Sequence, residues 1–205
     1  MKRNDPDYML VRVADYAPKW PEMFESEAAL VREIIGDHLS TMFVLGSTSV
    51  SGLTAKPVID MLRVVRDVAA LDGLTREFAA AGYEAMGEFG LPGRRYFRKG
   101  GANRTHQLHA YQYDAVHAIT RHVAYRDYMR AHAEARTAYG ALKASLASRF
   151  PDDIGPHLHG QAAFVKVVER RPLIWHSQQP PDGPLPLPTA PPDGAYPLQL
   201  WTSRI

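Results

Sequence analysis

A Gly-Ser pair followed by an acidic residue on the next apolar run is the pattern in this chain most suited to chemistry. Gly46 and Ser47 end the short apolar run 42–45, and Asp60 interrupts the nearly continuous apolar run 58–65. Glycine lets backbone N–H groups approach a phosphate closely, and the serine hydroxyl adds a donor. Because a buried, unpaired carboxylate is costly, we predict that Asp60 is a catalytic residue or a ligand for a divalent ion.

Basic side chains and one histidine extend this candidate site. His109 lies in a predicted strand and has the chemistry of an acid or base near neutral pH. Arg126 and Arg130 lie one turn apart on a predicted helix, so they share a face. These residue types favour an anionic ligand such as a phosphate or a carboxylate. The residues predicted to bind it are Gly46, Ser47, Thr48, Lys56, Arg95, Arg98, Lys99, Arg126 and Arg130.

The strand that carries Asp60 limits the metal chemistry of this site. Side chains at i and i+2 share one face of a strand, so Leu62 stands where a second carboxylate would help to hold two ions. By the same alternation, His106 points away from His109. Mg²⁺ prefers oxygen ligands, which a single carboxylate beside a histidine supplies poorly. We therefore expect either one weakly held Mg²⁺ on Asp60, together with a nucleoside triphosphate, or no cofactor.

The remaining patterns predict an α+β domain. Pro21 is suited to the first turn of a helix that ends near Gly36, and strands are predicted at 42–45, 58–65, near Tyr83 and at 105–111. Residues 115–170 are predicted to be mostly helical. Three further histidines are expected on helix surfaces: His117, His122 and His132.

Composition excludes several classes of function. The 24 basic and 22 acidic residues give a net charge of +2, which weakens any interpretation as a nucleic-acid binder. The chain has no cysteine, which excludes thiolate metal sites and cysteine nucleophiles. No stretch approaches the ~20 apolar residues of a membrane span, and the first residues lack the apolar core of a secretory signal. We therefore expect a soluble, cytoplasmic protein with neither a nucleic-acid nor a membrane partner.

The C-terminal part of the chain has a different composition. Nine of the 16 prolines lie in residues 171–205, so we predict a domain over 1–170 followed by a Pro-rich extended arm. Disorder is one interpretation of such a segment. Apolar residues such as Leu185 and Trp201 favour the other, an arm that packs on its own domain or links copies into a homo-oligomer.

Several longer stretches closely resemble the GrpB (UPF0157) family. The run from Leu45 to Asp60 reads LGSTSVSGLTAKPVID, and 90–100 reads GLPGRRYFRKG. The other matching stretches are 104–109 (RTHQLH), 125–132 (YRDYMRAH), 139–143 (YGALK) and 149–153 (RFPDD). The resemblance covers about residues 10–168 and implies a nucleotidyltransferase-like mixed sheet flanked by helices.

This chain departs from the usual family pattern at several polar positions. Val44 stands where the family usually has His, Val64 and Gln112 stand at acidic positions, and Gln107 replaces the first His of a His-Leu-His motif. Towards the C-terminus, Gln161 stands where the family usually has a lysine. These losses suggest that the metal and nucleotide chemistry implied by the resemblance has changed in this member.

Three functions fit these observations. The first is an enzyme that binds a nucleotide or another small anionic molecule, for nucleotidyl transfer or carboxylate activation. The second is a metal-independent acid/base enzyme of a specialised biosynthetic pathway, using Asp60 and His109. The third is a non-catalytic module that binds a ligand or a partner.

Overall fold

The computed structural model describes residues 13–150, 155, 159–161, 164 and 170–179. Within these residues, five strands form one sheet in the order β1-β2-β5-β4-β3. The strands are β1 Leu39–Leu45, β2 Ile59–Val65, β3 Tyr83–Ala85, β4 Arg94–Lys99 and β5 His106–Gln112. β2 runs parallel to β5, and the other neighbouring pairs are antiparallel. The predicted α+β class with a mixed sheet is confirmed.

Helices cover both faces of this sheet. Those whose bounds are defined are α1 Trp20–Ile35, α2 Thr75–Ala80, α3 Val116–Ala131, α4 Ala133–Arg149 and α5 Arg170–Ser177. Pro21 lies in the first turn of α1, where its missing N–H leaves no bond unmade, and Gly36 ends the helix with a φ of +55°. None of the helices in the described ranges combines the length and apolarity that a membrane crossing requires.

Alternation along β2 gives the sheet two chemically different faces. Ile59, Met61 and Val65 belong to a core that includes residues of α1 and α2. Leu62 and Val64 belong to a second core, which includes residues of α3. Asp60 shares this second face because it lies two residues before Leu62, and the strand therefore directs its carboxylate towards α3.

The first part of the predicted C-terminal arm differs from the sequence-based expectation. Arg170–Ser177 forms a helix rather than an extended arm. Pro172 falls in its first turn, where proline is tolerated, and Trp175 packs edge-on against Tyr128 of α3 at a centroid distance of 6.0 Å. Residues 180–205 lie outside the described residues, so an extended arm and its role in a homo-oligomer stay predictions for that segment.

Candidate functional site

A pocket of about 90 Å³ opens beside the start of β2, under the turn that follows β1. Polar side chains from β2, β5, α3 and α4 converge on it. Its lining residues are Val13, Leu45, Gly46, Ser47, Thr48, Ala55, Lys56, Val58, Asp60, Gln107, His109, His122, Tyr125, Tyr139, Lys143 and Gln161. The structure thus brings together six of the sequence-predicted residues: Gly46, Ser47, Thr48, Lys56, Asp60 and His109.

Gly46 is required by the close approach of its backbone to Asp60. Its φ is +67°, a conformation that L-residues with a side chain rarely adopt. A Cβ at this position would lie 2.4 Å from Oδ2 of Asp60. Since Leu45 is paired with Asp60 across the sheet, the turn places residue 46 directly beside the carboxylate.

The hydroxyl groups of the turn hold its own shape. Thr48 Oγ1 donates to the carbonyl oxygen of Val58 at 3.1 Å, which ties the turn to the chain entering β2. Ser49 Oγ donates to the carbonyl oxygen of Gly46 at 2.6 Å and closes the turn. Thr48 therefore contributes to the pocket mainly by fixing its wall, whereas Ser47 lies at the pocket surface.

Asp60 and His109 face one another across the pair formed by β2 and β5. His109 Nε2 lies 3.9 Å from Asp60 Oδ1, and its Nδ1 lies 3.4 Å from a guanidinium nitrogen of Arg94. A guanidinium only donates, so Nδ1 must accept and the ring proton is on Nε2, directed at Asp60. Burial lowers the pKa of His109 more than the nearby carboxylate of Asp60 raises it. His109 is therefore a neutral imidazole with its N–H towards the carboxylate.

Arg94 is a site residue that the sequence reasoning did not single out. It is buried beside His109 and donates to the carbonyl oxygens of Glu88 and Phe89. Its guanidinium also lies 5.0 Å from the ring centroid of Tyr96. These contacts fix the donor that selects the His109 tautomer, so Arg94 positions His109. Adjacent side chains in a strand point to opposite faces, so the sequence could have indicated that Arg94 and Arg95 lie on different sides of the sheet.

Two lysines bring positive charge to the same pocket. Burial lowers the pKa of Lys56 to about 8, although Asp60 opposes this shift. Burial, with a smaller contribution from Lys56, lowers the pKa of Lys143 to about 7. Lys143 Nζ donates to the carbonyl oxygen of Thr54 and lies 4.6 Å from the ring centroid of Tyr139. At neutral pH Lys56 is mainly an ammonium, and Lys143 is divided between ammonium and amine.

The helical side of the pocket was largely missed from the sequence. His122 and Tyr125 of α3 and Tyr139 and Lys143 of α4 line it, and the Tyr139 hydroxyl donates to Oε1 of Gln161 at 3.2 Å. His122, expected on a helix surface, instead has its ring centroid 5.8 Å from that of His109. The spacings of three in α3 and four in α4 place each pair on one helix face, which is the signal that could have found them.

His122 is expected to make the protein sensitive to acid. Burial, followed by the nearby His109, Arg121 and Arg94, lowers the pKa of His122 from 6.5 to about 3. Between about pH 6.5 and pH 3, His122 is therefore protonated in the unfolded chain but neutral in the folded chain. The free energy of unfolding falls as the pH drops through this range. We expect a loss of about 1–3 kcal/mol in the free energy of unfolding between about pH 7 and pH 4.5.

Urea unfolding of His122→Gln over the same pH range tests this expectation. The variant should lose less stability than the wild type, because glutamine does not titrate. His38→Gln, at an exposed histidine, should follow the wild type. Equal pH dependence in the wild type and His122→Gln would contradict the assignment.

Three predicted ligand-binding residues of β4 lie outside the pocket. Arg95 and Lys99 point to the opposite face of the sheet, where Arg95 forms a bidentate pair with Asp72 at 2.6 and 2.7 Å. Lys99 Nζ contacts Glu27 of α1 at 2.8 Å. Arg98 is on the pocket side of β4 but pairs with Glu84 of β3 at 2.6 Å. Strand alternation and neighbouring carboxylates therefore separate these cations from Asp60.

The two arginines of α3 support the turn rather than line the pocket. Arg126 forms a bidentate contact with Asp127 at 2.7 and 3.0 Å and donates to the carbonyl oxygen of Val44. Arg130 donates two hydrogen bonds, at 3.0 and 2.9 Å, to the carbonyl oxygen of Ser49. Both side chains join α3 to the segment that runs through Gly46, so they position the turn.

The pocket residues do not fit a two-metal centre. Asp60 is the one carboxylate among the described residues that line the pocket. Across the described part of the chain, no group of three or more His, Asp or Glu side chains is arranged to hold a metal ion. Lys56 and Lys143 add positive charge where a divalent ion would need negative charge. We therefore derive no chemical step through a metal.

The mixed five-stranded sheet, with a Gly-Ser turn after one strand and a carboxylate on the next, defines the protein as a member of the α+β class. Within that class, the chain belongs to the GrpB family. The family model described as "GrpB protein" matches residues 10–171.

Individual relatives agree with this assignment. The chain is 38% identical over 165 residues to the UPF0157 protein YqkA of Bacillus subtilis, a match that covers 80% of this chain and 48% of that protein. It thus spans about half the length of this relative. It is 28% identical to the glutamate-rich protein GrpB of Alkalihalophilus pseudofirmus, over 77% of this chain and 93% of that one. The crystal structure of the conserved protein GrpB from Enterococcus faecalis superposes with a TM-score of 0.79 at 43% identity, covering 82% of this chain and 100% of the other.

Proposed function

We propose that the protein is an enzyme that binds a small anionic molecule and acts on it by metal-independent acid–base chemistry. The observation that carries this proposal is the pairing of Asp60 with a neutral His109 at 3.9 Å, in a pocket that also contains Lys56 and Lys143. One carboxylate, one imidazole N–H and two amines form a compact set of proton donors and acceptors.

The spacing of Asp60 and His109 suits a substrate group placed between them. At 3.9 Å the two side chains are too far apart for a good hydrogen bond with each other. A hydroxyl or similar group that approaches both side chains from the pocket would give its proton to the Asp60 carboxylate and accept a hydrogen bond from His109 Nε2. Arg94 keeps His109 in the required tautomer, so the donor stays on the pocket side.

The lysines supply the binding of an anionic group, and the side-chain oxygen of Gln107 can accept a hydrogen bond from a protonated group of the ligand, such as a hydroxyl. Lys56 is mainly charged at neutral pH because its pKa is about 8. The buried side-chain oxygen of Gln107 has no hydrogen-bond partner among the described residues, and such an atom costs about 1–3 kcal/mol unless a ligand donates to it. The pocket volume of about 90 Å³ is small beside typical ligand sites of roughly 300–1,000 Å³. A phosphate or short carboxylic acid therefore suits it better than a whole nucleoside triphosphate.

Substitution of Lys56 tests this function. In calorimetric titrations with inorganic phosphate and pyruvate, we expect Lys56→Met to weaken binding about 10–100-fold, since charged hydrogen bonds contribute about 1.5–3 kcal/mol. Binding to the wild type should weaken as pH rises through about 7 and then 8, where Lys143 and Lys56 lose their protons. Lys19→Met, at an exposed lysine, is the matched control.

The same titrations separate the alternative functions. Tight binding of ATP only when Mg²⁺ is present would favour nucleotidyl transfer instead. If the protein binds small anions but shows no turnover that is lost on substitution of Asp60 or His109, a non-catalytic module would be favoured. Absence of anion binding at this pocket would contradict the proposal.

A further inference from the structure

We propose that Lys143 is a nucleophilic amine that forms an imine with a small oxo acid, an aldehyde or ketone that also carries a carboxylate. This inference names a substrate class for the pocket described above and rests on the proposed function. It goes further because it assigns a covalent step to a residue on α4.

The surroundings of Lys143 favour the uncharged amine. The side chain is 3% exposed, and it forms no ion pair with a carboxylate in the described part of the chain. Its contacts there are the carbonyl oxygen of Thr54 and the ring face of Tyr139. A ring face offers a cation about 0.5–2 kcal/mol, whereas removing an ammonium from water costs several kcal/mol.

Lys56 adds to this effect and provides a second role. Its charge acts on Lys143 within the same pocket and makes protonation of Lys143 less favourable. Lys56 itself is kept more basic by Asp60. Lys56 thus remains an ammonium that attracts the carboxylate of the substrate, while Lys143 keeps a free lone pair that can attack the carbonyl carbon.

The covalent step needs no further reactant. The Lys143 nitrogen lone pair attacks the carbonyl carbon; the nitrogen then gives up one of its two protons and the carbonyl oxygen takes up one, which gives a neutral carbinolamine. A second proton transfer makes that oxygen leave as water, while nitrogen loses its remaining proton and forms the C=N bond. Asp60 and His109 line the same pocket and supply the acid and base for these transfers.

Reductive trapping on the full-length protein tests this inference. The protein is incubated at pH 7 with glyoxylate and cyanoborohydride, and carboxymethylation of each lysine is followed by peptide mass spectrometry. We expect Lys143 to be modified at least about tenfold faster than exposed Lys19, because burial lowers the pKa of Lys143 to about 7 and leaves much of it as free amine at this pH. Inorganic phosphate, an anion without a carbonyl group, should protect Lys143 and leave Lys19 unaffected.

Two further measurements separate a reactive amine from a buried structural lysine. The rate at Lys143 should level off above about pH 8, whereas an unperturbed lysine continues to gain free amine up to about pH 10. With uncharged formaldehyde in place of glyoxylate, the preference for Lys143 over Lys19 should fall, because formaldehyde has no group for Lys56 to bind.

The outcomes are distinct. Modification of Lys143 that is no faster than that of Lys19 would overturn the inference. Fast modification by formaldehyde but not by glyoxylate would overturn the assigned substrate class. If phosphate binding depends on Lys56 and yet Lys143 is not trapped, this inference fails alone. If phosphate does not bind either, the proposed function fails as well.

Discussion

Replacement of Gly46 by alanine is expected to lower the free energy of unfolding by about 2–4 kcal/mol. Two effects add at this position. The residue adopts a φ of +67° and a ψ of −173°, a region almost restricted to glycine that costs other residues about 1–3 kcal/mol. The new methyl group would also lie 2.4 Å from Oδ2 of Asp60, so the carboxylate must leave its place beside His109. Urea unfolding measures the total loss.

Gly52→Ala separates these two effects. Gly52 has a φ of +76°, but nothing lies within 4 Å of the place where its Cβ would stand. Its substitution should therefore carry the backbone cost alone and destabilise the protein less than Gly46→Ala does.

A double-mutant cycle then isolates the contact with the carboxylate. In an Asp60→Ala background, the loss in free energy of unfolding caused by Gly46→Ala should be about 1–2 kcal/mol smaller than in the wild type, because the clashing oxygen is gone. Equal losses for the two glycine variants and additive effects in the cycle would show that Gly46 does not set the position of Asp60.

Four of the five strands and the placement of Asp60 could be predicted from the sequence, whereas β4 was not predicted as a strand. An apolar run interrupted by one carboxylate indicated the strand β2 and the place of Asp60 on it. The period of two along β2 and β5 correctly placed Leu62 on the face of Asp60 and directed His106 away from His109. These predictions succeeded because strand alternation is a local property of the chain.

The basic residues could not be assigned from local patterns. Arg95, Arg98 and Lys99 adjoin one another in sequence, but their partners Asp72, Glu84 and Glu27 come from three different elements. Which carboxylate neutralises which cation depends on the strand order and on how α1 packs. Lys143 could not be predicted from the sequence as a pocket residue either, because its nearness to Lys56 depends on how α4 packs over the turn.

Asp60→Asn is the second substitution with a large expected effect, and its sign distinguishes the chemical accounts. Asparagine keeps the shape of the side chain and removes its negative charge. If the pocket holds anions through Lys56 and Lys143 without a metal, removal of this repulsion should leave anion affinity unchanged or raise it up to about tenfold. Any turnover that uses Asp60 as a base should fall by about 10²–10⁴-fold.

A metal-dependent site predicts the opposite effect on binding. There Asp60 would hold the ion that bridges to the anion, so its loss would remove binding altogether. Asp72→Asn is the matched control, because that carboxylate is exposed and pairs with Arg95 on the other face of the sheet.

The most direct test is therefore calorimetric titration of inorganic phosphate into the wild type, Asp60→Asn and Asp72→Asn, each with EDTA and again with Mg²⁺. It is best done near pH 6, where both pocket lysines are protonated, since their pKa values are about 8 and 7. We predict that Asp60→Asn binds phosphate at least as tightly as the wild type in EDTA and that Mg²⁺ changes neither affinity. Phosphate binding that requires Mg²⁺ in the wild type and disappears in Asp60→Asn would contradict a metal-independent site.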